Sequence, residues 1–286
     1  MRLRSLLFVP GDRADRMEKA LGLGADALIL DLEDAVAPQA KANARRSVAA
    51  FLSSAERRAQ FFVRVNPLSS EMLEDDLAAV LDAEPDALVL PKAEGAASVQ
   101  ALAVKAPGIP ILPIATETPA AIFEIGSYRA VSHLILGLTW GAEDLPAAIG
   151  AIAAREEDGR YTPPYEMTRS LTLFGAHAAG VPAIDTVYPD FRDLEGLATY
   201  AKRARRDGFS GMMAIHPGQV AIINRTFTPT SEEVEQARAI VDAFDANPGQ
   251  GAIAWDGRMI DAPHLKQARR LLDLAEAEPS PVRLQL

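Results

Sequence analysis

Two carboxylate residues, Glu117 and Asp144, follow neighbouring apolar runs of the sequence, so both side chains can reach one cation. The chain has no cysteine and only 4 histidines, which leaves hard oxygen atoms as the ligands on offer. Such ligands suit Mg²⁺, or Mn²⁺, and a magnesium ion bound this way keeps positions open for water or a chelating substrate. An ion pair between one of these carboxylates and Arg64 is the structural alternative.

Arg64 closes the apolar run FFVRVN. A guanidinium at that position suits bidentate hydrogen bonding to a substrate carboxylate or to an enolate oxygen. A buried ion pair with Glu33 or Asp34 is the alternative. Asp31 and Glu33 alternate along one strand and so share a face, where they can orient Arg64 or hold metal-bound water.

Three further groups carry possible chemistry. Lys92 is the single lysine that closes an apolar run, so it is the Schiff-base candidate, although an ion-pair role is more common for such a lysine. His216 suits a general base, a ligand contact or a purely structural histidine. Arg16 and Lys19 lie three residues apart on a helix face, where they meet either solvent or the phosphates of a nucleotide-containing substrate.

All these residues lie at or near the ends of short runs rich in Val, Ile, Leu and Phe. Apolar runs of this length are typical of strands buried on both faces of a parallel sheet. Segments of helical period separate them, which gives a β-α pattern repeated eight times. The predicted strands are residues 5–11, 27–33, 61–66, 87–92, 111–117, 133–138, 183–188 and 211–217.

Eight such units favour a closed (β/α)8 TIM barrel over a doubly wound open sheet. The open sheet is also disfavoured because no glycine-rich dinucleotide fingerprint follows any run. In barrels of this type the active site lies at the carboxyl ends of the strands. The strand-end residues, Asp185 among them, are therefore the site candidates, and the long interval after the sixth strand predicts an insertion within 144–180.

The barrel is expected to span residues 1–228, and residues 229–286 form a C-terminal extension. Its first segment, 231–244, reads as a helix capped by Ser231. Residues 252–260 contain Asp256-Gly257 between apolar flanks, which predicts a hairpin, and 263–277 predict a final helix. A barrel closes without these pieces, so we expect the extension to pack on a neighbouring subunit.

Composition excludes several classes of protein. Hydrophobic residues make up 49% and charged residues 24% of the 286, as in globular proteins. The lack of cysteine rules out a disulfide framework, a thiolate metal site and a cysteine nucleophile. The net charge of −10 argues against nucleic acid as a partner. No apolar stretch of about 18 residues occurs, so we expect no membrane span and a cytoplasmic protein.

The sequence resembles the citrate lyase β-subunit-like family, part of the HpcH/HpaI aldolase superfamily, almost from end to end. The motifs that carry the resemblance are LLFVPGDR, LILDLEDAV, VRVNPL, PKAE, ATETPAA, LGLTWGAEDL, MMAIHPGQV and DGRMIDAPHLKQA. It implies a barrel, usually a homotrimer, that acts as a Mg²⁺-dependent carbon–carbon lyase on acyl-CoA thioesters.

The resemblance also implies roles for individual residues. Glu117 and Asp144 would ligate the metal, and Glu117 would also bind the substrate. Arg64 would bind the substrate and stabilise an enolate. Asp261 would be the catalytic acid/base, given by the C-terminal arm of a neighbouring subunit. The expected contacts to coenzyme A are Phe8, Arg16, Lys19, His216 and Pro217.

The expected reaction cleaves a β-hydroxyacyl-CoA, such as malyl-CoA or citramalyl-CoA, to an acyl-CoA and a 2-keto acid, or forms it from these two compounds. A citryl-ACP lyase subunit that uses an acyl carrier protein and a malyl-CoA thioesterase are the alternatives. A pyruvate aldolase is disfavoured, because its branch of the superfamily commonly uses an early histidine and none precedes His133. Whether the assembly is a trimer or a hexamer stays open, and Thr118, Leu138 and Trp140 are the expected walls of the acyl pocket.

Overall fold

The computed structural model describes residues 2–276, and its central element is a curved sheet of seven parallel strands in the order β5-β4-β3-β2-β1-β7-β6. The pairing is in parallel register throughout; for example, Asp31 of one strand lies opposite Arg64 of the next. The strands are β1 (Ser5–Pro10), β2 (Ala27–Asp31), β3 (Gln60–Arg64), β4 (Ala87–Leu90), β5 (Ile111–Pro113), β6 (Ile184–Asp185) and β7 (Gly211–Ala214).

The segment predicted as the sixth strand, 133–138, is not a regular strand. Its first two residues end a 3-10 helix, Ile125–Leu134, and the chain then makes only isolated parallel bridges. Ile135 and Thr139 bridge to the β5 side, and Leu138 bridges to Ala183 beside β6. Gly137 passes close to the neighbouring chain, where an added Cβ would lie 3.0 Å from the Pro182 carbonyl oxygen. The segment joins the two sheet edges, so the predicted barrel architecture is confirmed while its sixth strand is reduced to bridges.

Alternate side chains of each strand face the barrel interior and the surrounding helices, which explains the continuous apolar runs. Interior side chains form one buried cluster, which includes Leu6, Ile29, Phe62, Val89, Leu112 and Met213. Their neighbours along the strands pack outward against the helices, among them Leu7, Leu28, Leu30, Phe61 and Val63. Both faces of the sheet are therefore buried.

The helices surround this sheet and continue into the C-terminal extension. Two of them, α6 and α7, occupy the predicted insertion. The helices are α1 (Ala14–Ala20), α2 (Lys41–Ser54), α3 (Leu73–Val80), α4 (Ala96–Lys105), α5 (Pro119–Glu124), α6 (Asp144–Ile149), α7 (Pro163–Ala179), α8 (Leu194–Asp207), α9 (Pro217–Thr226), α10 (Ser231–Asp245) and α11 (Ala262–Glu276). No helix within 2–276 combines the length and the apolar character that crossing a bilayer would need.

The C-terminal extension contains the predicted helix, hairpin and helix. Helix α10 is capped by Thr230 rather than by Ser231, because the Thr230 hydroxyl accepts from the backbone N–H of Glu233 in a capping box. Strands β8 (Ala252–Trp255) and β9 (Arg258–Asp261) pair antiparallel. Their turn residues, Asp256 and Gly257, have φ of 48° and 71°, the left-handed geometry expected of this dipeptide. Packing of the extension on a neighbouring subunit stays a prediction.

Asp185, a strand-end candidate, faces the helices and not the barrel mouth. Its fully buried carboxylate accepts hydrogen bonds from Trp140 Nε1 at 2.7 Å and from Tyr200 Oη at 3.1 Å. Arg169, itself buried, donates to it from Nε at 2.9 Å. Asp185 therefore ties α7 and α8 to the segment that leads into α6.

We expect Asp185→Asn to lower the free energy of unfolding by about 3 kcal/mol, because it leaves the buried Arg169 charge partly uncompensated. Urea denaturation measures this change. The exposed Asp158→Asn variant is the control and should unfold like the parent chain. Equal stability of the two variants would contradict the assignment of Asp185 as a structural tie.

Candidate active site at the mouth of the barrel

A cavity of about 1010 Å³ opens at the carboxyl ends of the strands. Its volume is at the upper end of the range typical of small-molecule sites. Charged side chains from several different strand ends converge on it. Those that line it include Arg13, Arg16, Lys19, Asp31, Asp34, Arg64, Glu117, Glu143, Asp144 and His216.

Arg64 is held on one side of this cavity by two buried carboxylates. Its Nε and Nη2 donate to the two Asp31 oxygens at 2.7 and 2.6 Å. Its Nη1 lies 2.9 Å from Glu33 Oε2, whereas Asp34 is 3.8 Å away. The Phe8 ring lies against the guanidinium, 4.8 Å from its carbon. Arg64 therefore forms the buried ion pair and also lines the cavity, where its contact with substrate stays a prediction.

Lys92 links this group of charges to Asp144, which also lines the cavity. Its Nζ lies 2.7 Å from Glu33 Oε1 and 3.6 Å from Asp144 Oδ1. Burial alone would lower its pKa, but the neighbouring carboxylates Glu33, Asp144 and Glu117 outweigh burial and raise it well above the usual range. A Schiff base needs a neutral amine, so this environment favours the ion-pair role of Lys92.

Glu117 is 4% exposed and sits where β5 enters the mouth. Its Oε2 accepts a hydrogen bond of 2.6 Å from the backbone N–H of Lys92, a residue with φ of 51°. Its Oε1 approaches Gly141, where an added Cβ would lie only 2.9 Å away, so a glycine is needed there. Burial, followed by the charges of Asp144 and Glu33, raises the pKa of Glu117 to about 8.

Asp144 is the first residue of α6 and lines the same cavity with a side chain that is 36% exposed. The two carboxylates fit a hard divalent cation, because both offer oxygen ligands and line one cavity. Burial is the main cause of the raised pKa of Glu117, and the charge of Asp144 adds to it, so a cation beside both would favour the charged form of Glu117. No group of three or more acidic or histidine side chains within 2–276 is arranged as a metal site. A cation here would therefore take two protein ligands and complete its shell with water or substrate, as Mg²⁺ commonly does.

The five residues predicted to contact coenzyme A lie around this same cavity. His216 caps α9, since its Nδ1 accepts from the Gly218 N–H at 3.1 Å, and its ring stacks on Phe191 with the centroids 5.0 Å apart. Sequence reasoning missed the Phe191 contact, because the two residues are far apart in the chain. The lining residues of this set are Phe8, Arg16, Lys19, His216 and Pro217.

Asp261 is not among the residues that line the cavity of its own chain. It ends β9 in the extension, and His264 Nδ1 lies 2.6 Å from its Oδ1. The predicted pocket walls are also placed elsewhere: Trp140 and Leu138 are fully buried behind the mouth. Thr118 caps α5 and donates to Glu94. The wall prediction is wrong because none of the three side chains lines the cavity: Leu138 and Trp140 pack in the outer core, and Thr118 is hydrogen-bonded to Glu94.

Comparison with known proteins decides the family. A model described as HpcH/HpaI aldolase/citrate lyase matches residues 4–217. The chain belongs to this family. The family resemblance of the sequence is thereby confirmed.

Curated relatives and a solved structure match nearly the whole chain. A (3S)-malyl-CoA thioesterase of Cereibacter sphaeroides is 37% identical over 280 residues, covering 96% of this chain and 95% of that protein. The mitochondrial citramalyl-CoA lyase of Rattus norvegicus is 33% identical over 298 residues. That match covers 95% of this chain and 86% of the lyase. The crystal structure of CitE from Mycobacterium tuberculosis in complex with magnesium, acetoacetate and coenzyme A aligns with a TM-score of 0.83. That alignment is 33% identical and covers 96% of this chain and 98% of the other.

The raised pKa of Glu117 predicts how stability changes with pH in the absence of divalent cations. The unfolded chain loses the Glu117 proton near pH 4.5, whereas the folded chain keeps it to about 8. The folded state binds more protons between these values, so the free energy of unfolding falls as the pH rises through this window. Urea denaturation at several pH values in EDTA should show a shallower fall for Glu117→Gln. The exposed Glu71→Gln variant should keep the parent slope, and equal slopes for all three proteins would contradict the Glu117 assignment.

Proposed function

We propose that this protein is a Mg²⁺-dependent carbon–carbon lyase that cleaves or forms a β-hydroxyacyl-CoA, such as malyl-CoA or citramalyl-CoA. The products of cleavage would be an acyl-CoA and a 2-keto acid. The observation that carries the proposal is the convergence on one cavity of Glu117, Asp144 and Arg64 with the residues expected to contact coenzyme A. The family membership and the citramalyl-CoA lyase relative support the same reaction class.

Glu117 and Asp144 would hold Mg²⁺, or Mn²⁺, and Lys92 would keep its ion pair with Glu33 beside them. The ion would supply Lewis-acid polarisation of an oxygen of the keto-acid half. The backbone N–H of Lys92 fixes one Glu117 oxygen, so the other, near Gly141, is the one free to face a ligand. The CitE structure was solved with magnesium, which supports this choice of ion.

Arg64 would stabilise the charge that develops on the thioester oxygen. In cleavage, a base takes the proton of the carbon-bound hydroxyl, whose oxygen becomes the carbonyl oxygen of the keto acid. The electrons of the breaking C–C bond pass to the acyl-CoA fragment as an enolate, and an acid then returns a proton to its carbon. Asp31 and Glu33 hold the Arg64 guanidinium in place, so its positive charge needs no reorganisation when the enolate forms.

Asp261 would exchange the proton with the enolate carbon after reaching the cavity of a neighbouring subunit. Its place on an exposed hairpin, outside the cavity of its own chain, supports this arrangement. Residues 229–286 would then be the intersubunit extension of a homotrimer, or of a hexamer built from trimers. Coenzyme A would lie along Phe8, Arg16, Lys19, His216 and Pro217.

Hydrolysis of malyl-CoA is the second candidate activity, and a specific comparison favours it: the thioesterase relatives are 36–37% identical over almost the whole chain. The same metal and arginine would then polarise the thioester for attack by water. A third possibility, a lyase that takes its acyl group from an acyl carrier protein, would leave the cationic residues of α1 without a nucleotide partner.

Product analysis separates these activities. We expect Mg²⁺-dependent, EDTA-sensitive formation of a 2-keto acid from one member of a panel of malyl-, citramalyl-, citryl- and hydroxymethylglutaryl-CoA. Free CoA and keto acid are measured in parallel. Release of CoA without keto acid would favour the thioesterase, and inactivity until a carrier protein is added would favour the subunit of a larger complex.

The intersubunit role of Asp261 predicts a complementation effect. Asp261→Ala and Arg64→Ala should each lower kcat by ~10²–10⁴-fold, because one lacks the acid/base and the other lacks the enolate partner. Co-expression of the two variants should restore part of the activity, since some sites in a mixed oligomer receive both intact residues.

The exposed Asp273→Ala variant, on α11, is the control for the arm and should keep parent activity. Persistent inactivity of the mixed Asp261 and Arg64 oligomers, with the oligomer intact by light scattering, would contradict the shared site.

A further inference from the structure

A second cleft lies at the opposite end of the barrel from the cavity described above. Residues that precede β1, β6 and β7 line it, and α11 of the extension closes one side. Its volume is about 330 Å³, which is enough for a molecule of a few carbon atoms. Three arginines line this small space in a chain whose net charge is −10, and they are Arg2, Arg4 and Arg270.

The charges of this cleft are incompletely balanced. Arg2 Nη2 and Arg4 Nη1 both donate to one hydroxyl oxygen, that of Thr228, at 2.6 and 3.0 Å. Arg4 also has a carboxylate partner, Asp26, at 2.6 Å. Within residues 2–276, neither Arg2 nor Arg270 has a carboxylate within ion-pair distance. Burial, followed by the charge of Arg4, lowers the pKa of Arg2, whereas the charge of Asp26 opposes this shift.

Besides the arginines, the cleft is lined by two polar residues, His177 and Ser210, and by apolar residues from both the barrel and the arm. Val181, Pro182 and Phe227 belong to the barrel, and Leu274 belongs to α11. A guanidinium group binds carboxylates through two parallel hydrogen bonds, and the apolar walls suit a short hydrocarbon stem better than a fully hydrated phosphate. The combination therefore selects an organic anion.

We propose that this cleft binds a short-chain carboxylate, which bridges Arg2 on the barrel to Arg270 on α11 and clamps the arm to the base of the barrel. Helix α11 begins directly after Asp261, so a ligand that holds α11 also restrains the hairpin that carries this residue. The site is distinct from the mouth of the barrel, and it stands whether or not the proposed lyase reaction is correct.

Calorimetric titration of the full chain with butyrate, in EDTA and at constant ionic strength with chloride, tests the proposal. We expect saturable binding to the parent protein and about tenfold weaker binding to Arg270→Ala and to Arg2→Ala, since each loses a charged hydrogen-bonding partner. Arg269→Ala is the matched control, because this neighbour on the same helix is absent from the cleft lining and lies 4.0 Å from Asp245.

Hydrogen exchange provides the second measurement. At a butyrate concentration that half-saturates the parent, backbone exchange in residues 262–276 should slow in the parent and in Arg269→Ala, and it should slow far less in Arg270→Ala. Equal butyrate affinity in all variants would place the ligand elsewhere and overturn the proposal. Absence of butyrate binding, or binding of inorganic phosphate alone, would overturn it as well.

Discussion

The mouth of this barrel depends on two positive side chains that hold several carboxylates together. Arg64 and Lys92 both contact Glu33, a carboxylate that is 4% exposed and would be costly to bury alone. The parallel register places Asp31 opposite Arg64, so neighbouring strands position the first ion pair without a loop. Lys92 then reaches across to Asp144, and its backbone N–H fixes Glu117. One connected network therefore positions the arginine proposed to stabilise the enolate and the two residues proposed for the metal.

Much of this arrangement could be predicted from the sequence, because a parallel barrel brings the carboxyl ends of its strands to one place. Glu117, Asp144 and Arg64 each follow an apolar run, and the structure places all three around one cavity. The hairpin could also be predicted from the sequence, since Asp256 and Gly257 adopt the left-handed geometry that this dipeptide favours. These predictions succeed where the local sequence and the fold demand the same conformation.

The remaining features depend on contacts that a linear pattern does not contain. The segment predicted as the sixth strand has the same apolar pattern as the other strands, but its pairing is limited to isolated bridges. Gly137 in this segment lies close to the Pro182 carbonyl oxygen. Asp185 ends a strand like the site residues, yet its carboxylate turns outward to Trp140 and Arg169. The motif that contains Asp261 is recognisable only by resemblance, because this residue lies in the extension, outside the strands whose spacing identifies the other candidates.

A crystal structure with Mg²⁺ and a 2-keto acid would show whether the ion-paired network presents Glu117 and Asp144 to a cation. We expect density for the ion between these two carboxylates, with Arg64 still held by Asp31 and Lys92 still paired with Glu33. Metal bound elsewhere, with Lys92 remaining as the cation that faces Asp144, would contradict this expectation.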